Sequence, residues 1–353
     1  MLDSSTGLPM PAGPTPDAVA LPPAEAGQNL ADRLADFVRA ARGAFSANTE
    51  RAVRSDLDVY GAWCAGRGLQ ALPAAPETVA AFVDAMAETR APATVRRYVA
   101  SIAVAHRAIG HGSTLKSPLV GLALKRTHRR KGRRQGQARP LTWPLCRRLL
   151  EAAGDRPIDL RNRALLAVAY DTMLRRAELT ALEMPDLLVD VRGDATILVR
   201  RSKTDGEGRS EIAYIAPDTV ALVRAWLDRA GIVGGRLFRS VDKGGRIGER
   251  LDPSQVPRIF KEMARRAGLP AELAEALSGH STRVGAAQDM VAAGIGLPAI
   301  LQAGRWKSTA MVNRYGERLL TRKGAAAQLA RIQGRGALPC RSQPRLTETT
   351  CPP

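Results

Sequence analysis

The sequence predicts a mainly α-helical protein with a small antiparallel β-sheet, an α+β arrangement in two domains. Three observations predict it. Apolar residues recur at helical spacing over residues 29–124 and again from 141 onward. One β-rich section, LLVDVRGDATILVRRSKTDGEGRSEIAYI, interrupts the second run, with Gly and Asp at its bends. Between the two runs lies KRTHRRKGRRQGQARP, which contains no acid. At 353 residues, each domain is long enough to bury its own core.

Taken in order, residues 1–28 are rich in Pro, Ala and Gly and lack Lys and Arg, which predicts a disordered arm. Asn48 or Thr49 can cap a first helix carrying Val53, Leu57, Tyr60 and Trp63 on one stripe. Pro76 suits the first turn of a second, with Val79, Phe82, Val83 and Met86 inward. A third follows Thr94, with Val95, Tyr98, Val99, Ile102 and Ile109 inward, and its His106 reads as a core residue. These make a small helical bundle over 29–124.

Residues 125–140 carry Lys125, Arg126, Arg129, Arg130, Lys131, Arg133, Arg134 and Arg139. Their glycines and closing proline argue against one continuous helix. The segment reads as a basic interdomain linker, either simply solvated or laid as a strap along a phosphate backbone. Beyond it, 141–335 forms the second domain. Thr142 and Pro144 open a helix, LRNRALLAVAYDTMLRRAELTAL supplies two more, and the β-rich section folds as a three-stranded meander turning at 192–194 and 204–208. Everything after Pro217 reads as helical to about Gln333, and 336–353 as a flexible tail.

Net charge is +19, from 53 Lys and Arg against 34 Asp and Glu. That excess points to a polyanionic partner, nucleic acid before an anionic membrane surface. No apolar run approaches the roughly 20 residues of a membrane span. The four cysteines, Cys64, Cys146, Cys340 and Cys351, lack C-x-x-C spacing, so neither a zinc site nor a disulfide framework is expected. The N-terminus has no secretory pattern, and a reducing, cytoplasmic location is expected. There is no P-loop, no Rossmann glycine set and no carboxylate cluster at metal spacing, so no cofactor or metal is expected.

Several short stretches can carry chemistry. In GHSTRVGAAQDM, His280 and Arg283 lie three apart at a helix start, where free N–H groups and two basic side chains suit a phosphate. In TMLRRAELTAL, Glu178 can hold one side of the Arg175 guanidinium. Lys203 sits at the end of a strand, entering a tight turn; it is either solvated or a proton donor over a cleft. AGRWKSTAMVNRYGE supplies Trp306, an indole N–H donor, and Tyr315. Singly, each also reads as ordinary surface: an exposed salt bridge, a hairpin tip, a packed tyrosine.

Their joint order, Arg, Lys, His-x-x-Arg, Trp, Tyr, resembles the tyrosine recombinases of the phage integrase family, and most closely Cre-like members. SGHSTRVGAAQDMVAAGIGLPAILQAGRW is similar to the family's box almost continuously, and NTERAVRSDLDVYGAWC and PETVAAFVDAM look like its helical core-binding domain. The resemblance implies an N-terminal core-binding bundle and a C-terminal tyrosine-recombinase catalytic domain. It implies that Arg175 and Arg283 grip the scissile phosphate, that Lys203 is the hairpin lysine, and that His280 and Trp306 add contacts. Tyr315 would be the nucleophile and Glu178 the supporting acid. It further implies a double-stranded DNA target with inverted half-sites, a homotetramer on DNA formed from free monomers, and a bacterial or phage-encoded, nucleoid-associated enzyme. Arg96 and Arg97 would face the major groove from the third helix, with the cations of 125–134 adding backbone contacts. The Lys203–His280 interval is somewhat short for the family. Relaxation of the type IB topoisomerase kind, or DNA binding without catalysis, are the competing expectations.

Overall fold

Local signals set the first helices. Ser46, ahead of the expected caps Asn48 and Thr49, accepts the Thr49 N–H at 3.2 Å and starts α1 (Ala47–Ala65). Prolines occupy the first turns of α2 (Pro76–Thr89), α3 (Pro92–Ala108) and α4 (Pro118–Lys131), where a missing N–H costs nothing. The computed structural model describes Arg39 and residues 44–111, 116–132, 136–190, 195–200 and 210–335. The arm 1–28, Arg133, Arg134, Lys203, both expected meander turns and the tail 336–353 lie outside these. Two compact units divide between Gly136 and Gln137.

In the first unit, Phe82 is fully buried, with the rings of Tyr60, Trp63 and Tyr98 at 4.9, 5.3 and 5.7 Å. His106 is a core residue: its Nε2 accepts the Ala74 N–H at 2.9 Å, so Nδ1 carries the proton toward the Ile102 carbonyl at 3.0 Å. Buried Asp56 accepts both Arg97 arms at 2.9 and 2.8 Å and the Ser101 hydroxyl at 2.8 Å. Arg97 is therefore anchored while remaining exposed, and Arg96 beside it is exposed.

The basic segment needs correcting in its first half. Residues 125–131 complete α4 and are no linker. The acids that neutralise them come from α2: Arg126 pairs with Asp84, Arg130 with Glu88 at 2.7 Å, and the Lys131 ammonium donates to the Glu88 and Arg90 carbonyls. Cations in a last turn also suit the helix dipole, and Gly132, at φ +72°, closes it. Lys125 and Arg129 stay exposed.

The second unit wraps an almost wholly buried helix, α6 (Pro157–Asp171), which follows α5 (Trp143–Glu151). Its Leu165, Leu166 and Val168 share a core with Trp226, Phe238 and Phe260. The meander is present: β1 (Leu187–Val189), β2 (Ala195–Val199) and β3 (Glu211–Ile215) pair antiparallel in that order. Ala195, Ile197 and Val199 face the core with Ala213 and Ile215, as period-two alternation requires. The short α7 (Arg176–Ala181) precedes the sheet, and α8 (Pro217–Ala230) follows it.

Helix does not run uninterrupted from Pro217, contrary to expectation. Residues 231–254 are irregular, with a Val241↔Ile247 bridge, because glycines at 231, 234, 235, 244, 245 and 248 break the helical pattern. Then come α9 (Gln255–Arg266), α10 (Ala271–Glu275), α11 (Ser281–Ala292), α12 (Leu297–Gly304), α13 (Ala310–Lys323) and α14 (Ala325–Ile332). None of the described helices is long and apolar enough to cross a membrane.

Gly285 decides how α11 is seated. A Cβ there would stand 2.0 Å from the Leu141 carbonyl oxygen, so only glycine lets residues 141–142 cross the helix. The Leu141 N–H donates to the Ser281 carbonyl at 2.9 Å, and the Trp143 N–H to Asp289 Oδ2 at 2.7 Å. We expect Gly285→Ala to cost about 3 kcal/mol and lower this unit's melting temperature by roughly 6–12 °C. An unchanged calorimetric melt would show that the crossing yields freely.

Candidate active site

The first element of the site is the turn that leaves α6. Thr172 ends the helix, Met173 is buried with φ +51°, and Arg175 becomes the N-cap of α7. The Arg175 N–H donates to Glu178 Oε2 at 2.9 Å, and its Nη1 to Oε1 at 2.7 Å. The three-residue spacing thus works as a cap, with the carboxylate holding backbone and guanidinium together.

The second element is the start of α11. His280 is its N-cap, with its N–H donating to Ser278 Oγ at 3.2 Å, rather than a residue on the helix face. Arg283, on the first turn of the same helix, is 2% exposed. Its two terminal nitrogens donate to the Met173 and Gly304 carbonyls, which ties the turn before Arg175 to the end of α12.

The third element is the aromatic pair. Arg283 Cζ lies 5.0 Å from the Trp306 ring centroid, and the Tyr315 ring meets the same indole edge-on at 5.6 Å. Gly304 makes room for that indole, because a Cβ would fall 2.4 Å from Trp306 Cε3. Tyr315, on α13, packs with Trp306 onto Met173, Ala286 and Ala287. Its carbonyl accepts the Gln288 amide at 3.0 Å. The structure therefore brings Arg175, Glu178, His280, Arg283, Trp306 and Tyr315 together within one unit.

Charge follows from this packing. Burial first, then the Arg175 and Arg305 cations, push Arg283 down to about 10, which leaves it charged at neutral pH. Burial by itself would raise the Glu178 carboxyl. The Arg175 amide and guanidinium outweigh it, with Arg305 helping, and hold the group below the usual carboxylate value. Desolvation of its ring, then Arg283, Arg175 and Arg176, lowers His280.

The sign follows for His280. Below its unfolded value near 6.5 the unfolded chain binds a proton that the folded chain refuses, so this residue's contribution to stability falls as pH drops through that value and stops changing below the folded one. An NMR titration should place the His280 midpoint below 6.5; a midpoint above it would contradict so cationic a surrounding. Among the described residues, no His, Cys, Asp and Glu cluster is gathered for a metal ion.

Arg305 escaped the sequence reading. It caps α12 in the left-handed region, at φ +51° and ψ +50°, a place usually given to glycine and costing other residues of order 1–3 kcal/mol. Its side chain is 3% exposed and reaches Glu178 and Glu211. An arginine beside a tryptophan in AGRWKS carries no periodic signal of burial, so only the tertiary structure reveals it.

Helices around a small meander, with a buried arginine set against an aromatic pair, give the second unit a candidate cationic site. The model of the phage integrase family matches residues 141–320, more than half of the chain. The chain belongs to the phage integrase family. It is 30% identical over 323 residues to the recombinase Cre of Escherichia phage P1, covering 86% of this chain and 92% of that protein. To an integrase/recombinase XerD homolog of Selenomonas ruminantium it is 30% identical over 279 residues, 76% of this chain and 81% of that one. The fold is shared with the Tn1549 transposon integrase in complex with circular intermediate DNA, at TM-score 0.60 and 15% identity over 86% of this chain and 99% of that one. A lambda integrase dimer bound to a core site gives TM-score 0.56 and 19% identity, over 81% and 77% of the two chains.

Proposed function

We propose that this protein is a site-specific DNA recombinase that cuts and rejoins strands through a 3′-phosphotyrosyl link on Tyr315. The observation that carries this reading is the shared contact at Trp306, which both buried Arg283 and the Tyr315 ring meet. Family membership and the Cre and XerD relatives support the same activity.

The residues account for the chemistry. The Tyr315 phenol oxygen attacks the scissile phosphorus; the P–O5′ bond breaks and the 5′-oxygen leaves as a hydroxyl. The pentacoordinate transition state gains negative charge on its non-bridging oxygens. Arg283 keeps unspent N–H groups after serving two carbonyls, and Arg175 keeps donors beyond the one given to Glu178, so both can bind that charge. His280, neutral near pH 7, can take the phenol proton. Lys203, outside the described residues, is assigned the proton delivered to the 5′-oxygen. The phosphotyrosine keeps the energy of the broken phosphodiester, so rejoining asks for neither ATP nor a metal.

The target in this reading is double-stranded DNA with inverted half-sites, in the cytoplasm, bound by Arg96, Arg97, Lys125, Arg126, Arg129, Arg130 and Lys131 of the first unit together with Arg133 and Arg134. Four copies act together. Leu329 and Ile332 of α14 are exposed at 49% and 82%, an apolar face for a neighbouring copy. The test uses purified protein with nicked duplex from the native DNA flanking its coding sequence. A denaturant-resistant protein–DNA adduct mapped between two inverted half-sites supports the reading. A folded, DNA-binding protein that forms none overturns it, and plasmid relaxation without site preference would move it to a topoisomerase.

A further inference from the structure

We infer that Arg305 is a positioning residue for strand transfer, a buried guanidinium that ties the turn leading into Arg175 to Glu178 and to the first residue of β3. The inference rests on the reading of this cluster as the phosphoryl-transfer site.

The contacts are specific. Arg305 Nη1 donates to the Thr172 carbonyl at 2.9 Å, and Nη2 to the Met173 carbonyl at 3.3 Å and Glu178 Oε2 at 3.4 Å. Nε lies 3.3 Å from Glu211 Oε2, close enough for charge attraction though off the line of a hydrogen bond. The Met173 carbonyl also accepts from Arg283, so one oxygen in the turn that delivers Arg175 joins two buried arginines. Glu178 is likewise shared, between Arg175 and Arg305.

These partners separate a positioning role from the alternatives. Arg305 is not assigned to the phosphate, because its charge is met by the Glu178 and Glu211 carboxylates, whereas the terminal nitrogens of Arg283 donate to neutral carbonyls. Nor is it mere filling. A buried cation without partners is expensive, and apolar packing would serve a plain core better. Here two of the three partners belong to the site, the turn 172–173 and the carboxylate on Arg175, and the third is Glu211 at the start of β3. Without Arg305 the Thr172 carbonyl loses its side-chain donor and Glu178 faces Arg175 alone, so the Arg175 fork is free to tilt.

The experiment compares full-length protein with Arg305→Gly, which suits the left-handed backbone, and Arg305→Lys, which keeps only the charge. At saturating nicked duplex, single-turnover adduct formation should fall roughly 10–100-fold in Arg305→Gly, as expected when a reacting group is misplaced by a fraction of an ångström to one ångström. Its Kd for that duplex should stay within about two-fold of the parent. Arg305→Lys should recover part of the rate, since an ammonium can meet one acid but not the carbonyls as well. Hydrogen exchange in the DNA-free protein gives an activity-independent readout: residues 172–182 and 211–215 should exchange faster in Arg305→Gly.

Parental rates with parental exchange in these segments would overturn the inference, as would a loss of DNA affinity equal to the loss of rate. Should Arg305→Gly fail to fold, parental behaviour of Arg305→Lys in both measurements would do so. An adduct that persists in Tyr315→Phe would instead remove the underlying site assignment, and the exchange measurement would still decide whether Arg305 holds the turn.

Discussion

Tyr315→Phe should abolish covalent capture of DNA while leaving the fold and DNA binding intact. The substitution removes one oxygen and keeps the ring that meets the Trp306 indole at 5.6 Å and packs on Ala286 and Ala287. The Gln288 amide bonds the backbone carbonyl of this residue, not its hydroxyl, so the helix seat survives too. Losing the nucleophile of a covalent mechanism costs at least about four orders of magnitude in single-turnover rate. Denaturing gels measure the adduct and fluorescence anisotropy the affinity, which should change by no more than about two-fold. An adduct retained on the phenylalanine variant would assign the chemistry to another residue.

The second large effect is at Arg283. Arg283→Gln removes a cation that is almost wholly buried and that supports two carbonyls, at Met173 and Gly304. A lost donor to a developing oxyanion costs about 10²–10³ in rate, and a buried carbonyl left without its donor costs about 1–3 kcal/mol. Part of that instability is offset, because the uncharged amide no longer has to be desolvated as a cation. The expected signature is a rate down about a thousand-fold with only a modest fall in melting temperature. Arg283→Lys should rescue little, since an ammonium cannot span both carbonyls and still face the phosphate. Near-parental rates in Arg283→Lys would reduce the residue to a charge.

Much of the fold was legible because local signals and tertiary need agree. Proline at the first turns, alternation in ATILV and EIAYI, and the stripe of Val79, Phe82 and Val83 each announce an element and its inward face. The break after Pro217 has a local cause in its glycines, but the misread basic segment owes its structure to partners from distant sequence. Arg126 and Arg130 looked unpaired because Asp84 and Glu88 sit on another helix, so the close of α4 passed for a linker. Buried Asp56 shows the same dependence, since the Arg97 and Ser101 groups that make its burial tolerable lie forty-odd residues away.

The candidate site divides in the same way. Residue types and order along the chain, Arg175, Glu178, His280, Arg283, Trp306 and Tyr315, are properties of the sequence alone, and with the family pattern they name the chemistry. Their convergence is tertiary. It depends on Gly285 letting residues 141–142 cross α11, on Gly304 yielding space to an indole, and on the Met173 carbonyl accepting from two arginines. Burial of Arg283 and Arg305 belongs to this level as well, because desolvation of a charge is set by everything packed around it and by nothing within its own few neighbours in the chain.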